Sequence, residues 1–384
     1  MNTLPIHFLN RIMIQNRLPW LTPLVGLLLL TLPVFCQKIK PPKRNTTVSI
    51  RGDQFYINGK PTFQGRSWNG YKIEGLLPNA RLVQGIYDDR NSSTRPKWAY
   101  PDTKTWDADR NTDEFVAAMP VWKAHGLLAF TLNLQGGSPE GYSKDQPWIN
   151  SMFNPNGSYD PFYSRRLHRI LNKADELGMV VILGLFYFGQ DQYLKNEAAV
   201  INAVDNTLDI LADGDYRNVI IEINNECDIR YDHDILKPER VHELIQRVKN
   251  RKIRGHRFLV STSFSGGKIP TENVVREADF LLLHGNGVKD PARITEMVQQ
   301  TRALAGNRKV PIVFNEDDHF DFDKPANNFR SATIAYASWG FFDYRMKGEG
   351  LDDGYQSPPI NWQISSPRKK AFFDYLKEIT GGLP

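Results

Sequence analysis

The sequence predicts a (β/α)8 TIM barrel, an α/β fold, on three observations. Eight short apolar runs alternate with amphipathic stretches of helical period. The runs are nearly continuous in Val, Ile, Leu and Phe, as strands buried on both faces of a parallel sheet should be. The chain, at 384 residues, exceeds the about 250 residues such a barrel uses in one piece. An open doubly wound sheet would carry a Gly-rich phosphate turn after an early strand, and Gly65-Arg66-Ser67-Trp68-Asn69-Gly70 is not one.

Residues 1–36 read as a signal peptide. The uncharged run Leu21–Phe35 follows Arg11 and Arg17, with no acidic residue before it. Val34 and Cys36 are small enough to flank a cleavage point, which would leave Gln37 first. The run is shorter than the about 20 apolar residues of a spanning helix. Secretion to the periplasm or exterior is therefore expected over a lipid- or signal-anchored form, with no stable membrane insertion after cleavage. Residues 37–47 read as a basic linker, and 48–384 as the barrel. The net charge of +5 is carried before Val48: Arg11, Arg17, Lys38, Lys40, Lys43 and Arg44 account for it, leaving about −1 for the barrel. No basic stripe calls for nucleic acid as a partner. Two cysteines, Cys36 and Cys227, make no disulfide framework. Asn45, Asn91 and Asn156 open glycosylation sequons.

Within the barrel, VSIRGDQFYINGKPTFQG reads as a leading β-hairpin turning at Asn58-Gly59. The candidate strands are Thr62–Trp68, Leu127–Leu134, Met179–Phe188, Val219–Asn224, Phe258–Ser263, Phe280–His284, Pro311–Asn315 and Tyr336–Phe342. Helical patterns lie between them at Asp113–His125, Phe162–Leu177, Tyr193–Ala212, Pro238–Lys252 and Arg293–Ala305, with a last one at Pro367–Ile379. Two long, aromatic-rich connections, Asn69–Asn111 and Gln135–Asp160, follow the first two strands at the end where barrel enzymes place their sites. They are expected to wall in a pocket, which favours exo-action or short oligosaccharides.

Two carboxylates end apolar strands. Glu226 closes VIIEINNE after strand 4, and Glu316 closes VPIVFNE after strand 7. In a closed barrel these positions face each other, as glycoside hydrolysis requires of a proton donor and a carboxylate on opposite sides of the anomeric carbon. A separation of about 5–5.5 Å would make such an enzyme retaining. One isolated Glu at a strand end is most often a solvated charge; the pairing on strands 4 and 7, each Glu preceded by Asn, is what singles these out.

The hairpin with INGKPTFQGRSWNG, the Asn225-Glu226 pair, the Glu316 strand and Trp339 near strand 8 together resemble the clan-A (cellulase-like) superfamily of retaining glycoside hydrolases, over roughly Val48 to Ile379. The resemblance implies Glu226 as acid/base, Glu316 as nucleophile, Asn225 on the sugar 2-hydroxyl and Trp339 as the floor beneath the sugar. It implies a carbohydrate substrate and no cofactor. Arg66, Trp68, Asn69, Asn133, His284 and Asp317 are further candidates for substrate contact, by their places at strand ends. Two departures stand out: the Arg usual near the end of strand 2 is missing from AFTLNLQGG, and His284-Gly285-Asn286-Gly287 replaces the usual His-x-Tyr after strand 6. Two rival readings remain open. A metal-dependent hydrolase would use His319 with Asp318 and Asp321, or Asp232-His233-Asp234, although neither has a recognised ligand spacing. A non-catalytic carbohydrate-binding barrel would explain the two departures. Cys227 reads as a small buried filler.

Overall fold

A computed structural model of the protein describes residues 43–383 except 144 and 254; the signal-peptide reading and most of the basic linker lie outside the described residues. The end of that linker is held against the fold. The Arg44 guanidinium donates to the Gly214 carbonyl at 2.7 Å and covers the Tyr216 ring, and Thr46 N–H donates to Asp175 Oδ1 at 2.9 Å.

Strands β1 (Val48–Arg51), β2 (Gln54–Ile57) and β3 (Lys60–Pro61) form a small antiparallel sheet. Asn58 (φ 52°) and Gly59 (φ 77°) both take the left-handed backbone that a two-residue hairpin turn needs. This sheet covers the N-terminal end of the barrel: Phe55 meets Phe280, and Val48 N–H donates to the Arg217 carbonyl just before a barrel strand. A second hairpin, β4 (Ser67–Trp68) and β5 (Tyr71–Lys72), turns at Asn69-Gly70.

The eight barrel strands are β6 (Asn79–Arg81), β7 (Ala129–Asn133), β8 (Val180–Tyr187), β9 (Val219–Asn225), β10 (Leu259–Ser261), β11 (Leu281–His284), β12 (Ile312–Glu316) and β13 (Gly340–Phe341). Six run parallel in the order β10-β9-β8-β7-β6-β13, and β11 pairs with β12. Bridges Val313–Ser338 and Asp317–Phe341 join β12 to β13. The last seam is spanned by Asp279 N–H donating to the Val260 carbonyl at 2.9 Å. The helices α1 (Ala108–Ala124), α2 (Pro161–Leu177), α3 (Glu197–Asp213), α4 (Val241–Asn250), α5 (Glu272–Glu277), α6 (Pro291–Ala305), α7 (Asn328–Ile334) and α8 (Pro367–Thr380) each follow a strand. Their starts are set by side chains: Asp107, Asp160 and Asp290 accept the first free N–H groups of α1, α2 and α6, the last two ahead of a Pro. The (β/α)8 barrel with an N-terminal β-hairpin is therefore the fold.

One strand differs from expectation. The first barrel strand is Asn79–Arg81, not Thr62–Trp68. It is short and reads as polar because Asn79 and Arg81 turn into the barrel and only Ala80 is apolar. The other seven overlap the expected apolar runs. The long loops also differ in what their aromatics do. Tyr87, Trp98, Tyr100, Trp106 and Trp148 pack on one another as a separate buried cluster. Asp89 ties that cluster together, accepting from Trp98 Nε1 at 2.8 Å, Thr94 Oγ1 at 2.6 Å and Ile149 N–H at 2.9 Å. These rings brace the two loops against each other rather than facing outward.

Candidate active site

Glu226 leaves the end of β9 in a left-handed backbone conformation, φ 51°, which for a non-Gly residue costs of order 1–3 kcal/mol and has to be held in place. Ser263 holds it: its hydroxyl accepts the Glu226 N–H at 2.9 Å and its carbonyl accepts the Cys227 N–H at 2.9 Å. Glu316 ends β12 almost wholly buried. One carboxylate oxygen of each glutamate and a ring nitrogen of His284 lie within 4.8 Å of one another. His284 Nδ1 is 3.0 Å from Glu226 Oε1 and 3.7 Å from Glu316 Oε2. The expected pair therefore meets, with His284 between its members.

Two residues missed by sequence reasoning hold Glu316. Arg81 Nη1 is 2.9 Å from Glu316 Oε2, and Asn286 Nδ2 donates to Glu316 Oε1 at 2.5 Å. The first was hidden by the misplaced first strand. The second stands two residues after His284, where a Tyr was looked for, and Asn supplies the same kind of donor from a shorter side chain. The Arg81 guanidinium also lies 5.9 Å from the Tyr187 ring and 5.7 Å from the Phe342 ring, so aromatic faces share its charge. Deeper in the barrel, the buried Glu222 accepts from Asn315 Nδ2 at 3.2 Å.

The charges influence one another. Burial pushes the Glu316 carboxyl above the usual carboxylate range; Arg81 and His284 hold the rise back and Glu226 adds to it. Burial works against a charge on His284, but Glu316 and the hydrogen bond to Glu226 outweigh it and raise its pKa. Burial opposes the charge of Arg81 as well, yet its acidic neighbours, Glu316 foremost, raise its pKa further.

Glu226 and Glu316 open into a cavity of about 380 Å³ whose walls include Tyr142, Tyr187, Phe188, Arg230 and Phe342. Asn225 sits beside Glu226, 1 % exposed, with both side-chain amide atoms lacking a partner among the described residues. Asn133, at the end of β7, is in the same condition within the barrel; its Oδ1 lies 2.3 Å from where a Cβ on Gly184 would stand, so Gly184 makes its room.

Five expected contacts lie elsewhere. Arg66, Trp68 and Asn69 belong to the β4–β5 region at the opposite end of the barrel. There Arg66 donates to the Glu378 and Ile379 carbonyls and Trp68 Nε1 to the Glu378 carboxylate, at the end of α8. They were placed wrongly because Thr62–Trp68 is not a barrel strand. Trp339 faces outward: along β13 side chains alternate, so Trp339 and Phe341 stack on Phe329 and Phe372, while Gly340 and Phe342 face inward. Asp317 is fully buried, accepting from Trp339 Nε1 at 2.9 Å and Asn328 Nδ2 at 3.0 Å, with His319 Nδ1 2.9 Å away. It fixes the β12 end rather than meeting the cavity. Asp318, its neighbour, is at the rim and accepts from the Tyr142 hydroxyl at 2.9 Å.

Most of the residues considered for a metal are engaged otherwise. Asp321 pairs with Lys324 and Asp234 with Lys237, and His233 Nε2 is shared by the Asp191 and Leu194 carbonyls. Asp317, Asp318 and His319 do cluster, but as an ion pair: the two carboxylates raise the His319 pKa to about 10. In the Glu226–His284–Glu316 group, the Arg81 cation already occupies Glu316 Oε2. Cys227 is a buried free thiol whose pKa burial pushes well up.

No family model and no curated protein matches the sequence. Solved structures do match the fold. A glycoside hydrolase family 5 structure from Bacteroides vulgatus superposes with a TM-score of 0.52 at 14% identity, covering 87% of this chain and 71% of that one. An endo-1,4-beta-mannanase from Rhizomucor miehei gives 0.53 at 11%, covering 87% and 99%. An endo-1,4-beta-mannanase from Eisenia fetida gives 0.50 at 12%, covering 88% and 98%. The chain thus has the barrel fold of glycoside hydrolase structures.

Proposed function

We propose that the protein is a secreted retaining glycoside hydrolase that cleaves an oligo- or polysaccharide by double displacement. The observation that carries this is the approach of one oxygen each of Glu226 and Glu316 to within 4.8 Å. That separation belongs with the about 5–5.5 Å of retaining enzymes and not with the about 6.5–9.5 Å that leaves room for water in inverting ones.

In the first step a Glu316 oxygen attacks the anomeric carbon as the bond to the leaving oxygen breaks, and Glu226 gives that oxygen its proton. In the second, Glu226 takes a proton from water, whose oxygen displaces Glu316 and restores the free carboxylate. Arg81 and Asn286 hold the attacking carboxylate in place and favour its ionised form against the cost of burial. His284, bonded to Glu226 Oε1, orients the proton donor. The unpartnered Asn225 amide supports a contact to a sugar hydroxyl, and Phe342, not Trp339, supplies the aromatic wall. With Arg81 and Asn286 in place, the departures that pointed to a non-catalytic barrel no longer favour it.

The test is hydrolysis of a polysaccharide panel headed by β-1,4-linked mannan and glucan, followed by proton NMR. The first product should keep the anomeric configuration of the substrate, and a chelator should leave the rate unchanged. Inversion would rule out the two-step route, and loss of activity on chelation would favour a metal hydrolase.

A further inference from the structure

The left-handed backbone of Glu226 needs outside support, and both peptide units beside its Cα are held at both ends. In the unit that follows, the Glu226 carbonyl accepts the Ile229 N–H at 2.9 Å, and the Cys227 N–H donates to the Ser263 carbonyl at 2.9 Å. In the unit that precedes, the Glu226 N–H donates to Ser263 Oγ at 2.9 Å, and the Asn225 carbonyl accepts the Tyr231 hydroxyl at 2.5 Å. Rotation of that preceding unit is what changes φ of Glu226. Two side chains, Ser263 and Tyr231, therefore set it.

Tyr231 makes this bond from a fixed position. It is 4 % exposed, with its ring edge-on to Phe188 at 6.4 Å between centroids. Its hydroxyl lies 3.5 Å from the Phe186 carbonyl, too far to compete with the Asn225 carbonyl. Burial, helped by Asp191 and Cys227, raises its pKa well above the usual phenol value, so it stays a donor. The backbone behind it is anchored as well: Asp191 Oδ2 accepts the Asp232 N–H at 2.8 Å and the His233 N–H at 3.3 Å. The chain after β9 thus folds back on its own start, while Glu226 opens into the cavity.

We propose that Tyr231 is a positioning residue for Glu226: its hydroxyl locks the peptide between Asn225 and Glu226, and thereby aims the Glu226 carboxyl at the leaving oxygen. The aim rests on the glycosidase reading; the lock does not. A carbonyl that merely needed a partner would be satisfied by a water, with no consequence for the chemistry. A lock on φ acts on proton transfer, because the donor has to stand within about 2.6–3.2 Å of its target. Tyr231 does not line the cavity over the two glutamates, so its effect is confined to steps that need that proton.

The experiment compares kcat/KM on cellotriose and mannotriose with kcat/KM on 2,4-dinitrophenyl β-cellobioside and β-mannobioside, whose leaving group departs without a proton. In Tyr231→Phe, which keeps the ring and loses the hydroxyl, the ratio of trisaccharide to aryl glycoside should fall about tenfold, the equivalent of one hydrogen bond. Ser263→Ala frees the other end of the same peptide and should lower the ratio likewise; it carries the test if Tyr231→Phe does not fold. An equal loss on both substrates, or no loss, overturns the positioning role. Hydrogen exchange of the Glu226 N–H tests the lock itself: about tenfold faster exchange in Tyr231→Phe supports it, and an unchanged rate overturns it. If the wild type hydrolyses neither substrate class, the glycosidase reading has failed, and the exchange measurement alone decides for or against the lock.

Discussion

Arg81 and Glu316 form a buried ion pair at the mouth of the barrel, 2.9 Å between Nη1 and Oε2, with the Asn286 amide on the other carboxylate oxygen. Removing one partner of such a pair leaves an uncompensated charge, which costs about 3–5 kcal/mol. Arg81→Met should lose stability of that order at neutral pH by denaturant unfolding. The loss should shrink in acid, because protonated Glu316 needs no partner. An unchanged unfolding midpoint at pH 7 would contradict the pairing.

Asn286 holds Glu316, the proposed nucleophile, with one charge-assisted hydrogen bond, worth about 1.5–3 kcal/mol. Asn286→Ala should therefore lower kcat by about 10- to 100-fold. It should also shift the acid limb of the pH–rate profile upward, since the ionised form of Glu316 loses a donor. A fall in kcat with no movement of that limb would mean that Asn286 acts otherwise.

His319 supplies a pH-dependent brace to the β12 end. Asp317 and Asp318 raise its pKa from 6.5 to about 10. A raised folded pKa contributes stability that is fully present below the unfolded value and disappears as pH rises through the folded one. His319→Gln should cost about 1–2 kcal/mol near pH 6, allowing for solvent screening, and little at pH 10 and above. A difference independent of pH would contradict the ion pair.

Trp339 and Phe342 should separate structure from substrate contact. Trp339→Ala should destabilise by about 3–5 kcal/mol through the cavity it leaves, whereas Trp339→Phe should fold and leave KM within about twofold, since it touches no substrate. Phe342→Ala should raise KM. The reverse pattern in KM would restore Trp339 to the substrate site.

Much of this was legible in the sequence, and the misses share a cause. Strands such as Val180–Tyr187 and Val219–Asn225 are buried along their length, so hydrophobicity alone revealed them and placed Glu226 and Glu316. Asn79–Arg81 was not legible, because a strand whose inward side chains serve the site has no apolar signature. The same polarity hid Arg81. Trp339 was placed on the wrong face: alternation along the strand turns Gly340 and Phe342 inward and Trp339 and Phe341 outward, and an odd number of register steps exchanges the two faces. The aromatic-rich loops were expected to wall in a pocket, but Tyr87, Trp98, Tyr100, Trp106 and Trp148 pack on one another, with Trp98 tied to Asp89.

The central claim is that Glu316 forms the covalent bond and Glu226 moves the proton. Azide added to Glu316→Ala and to Glu226→Ala tests both at once. Each variant should lose activity on unactivated glycosides, by about 10²–10⁴-fold for Glu226→Ala. On an activated aryl glycoside, azide should rescue Glu316→Ala with a glycosyl azide of inverted configuration, and Glu226→Ala with one of retained configuration. Undiminished hydrolysis by Glu316→Ala without azide, or the same anomer from both variants, would contradict the assignment.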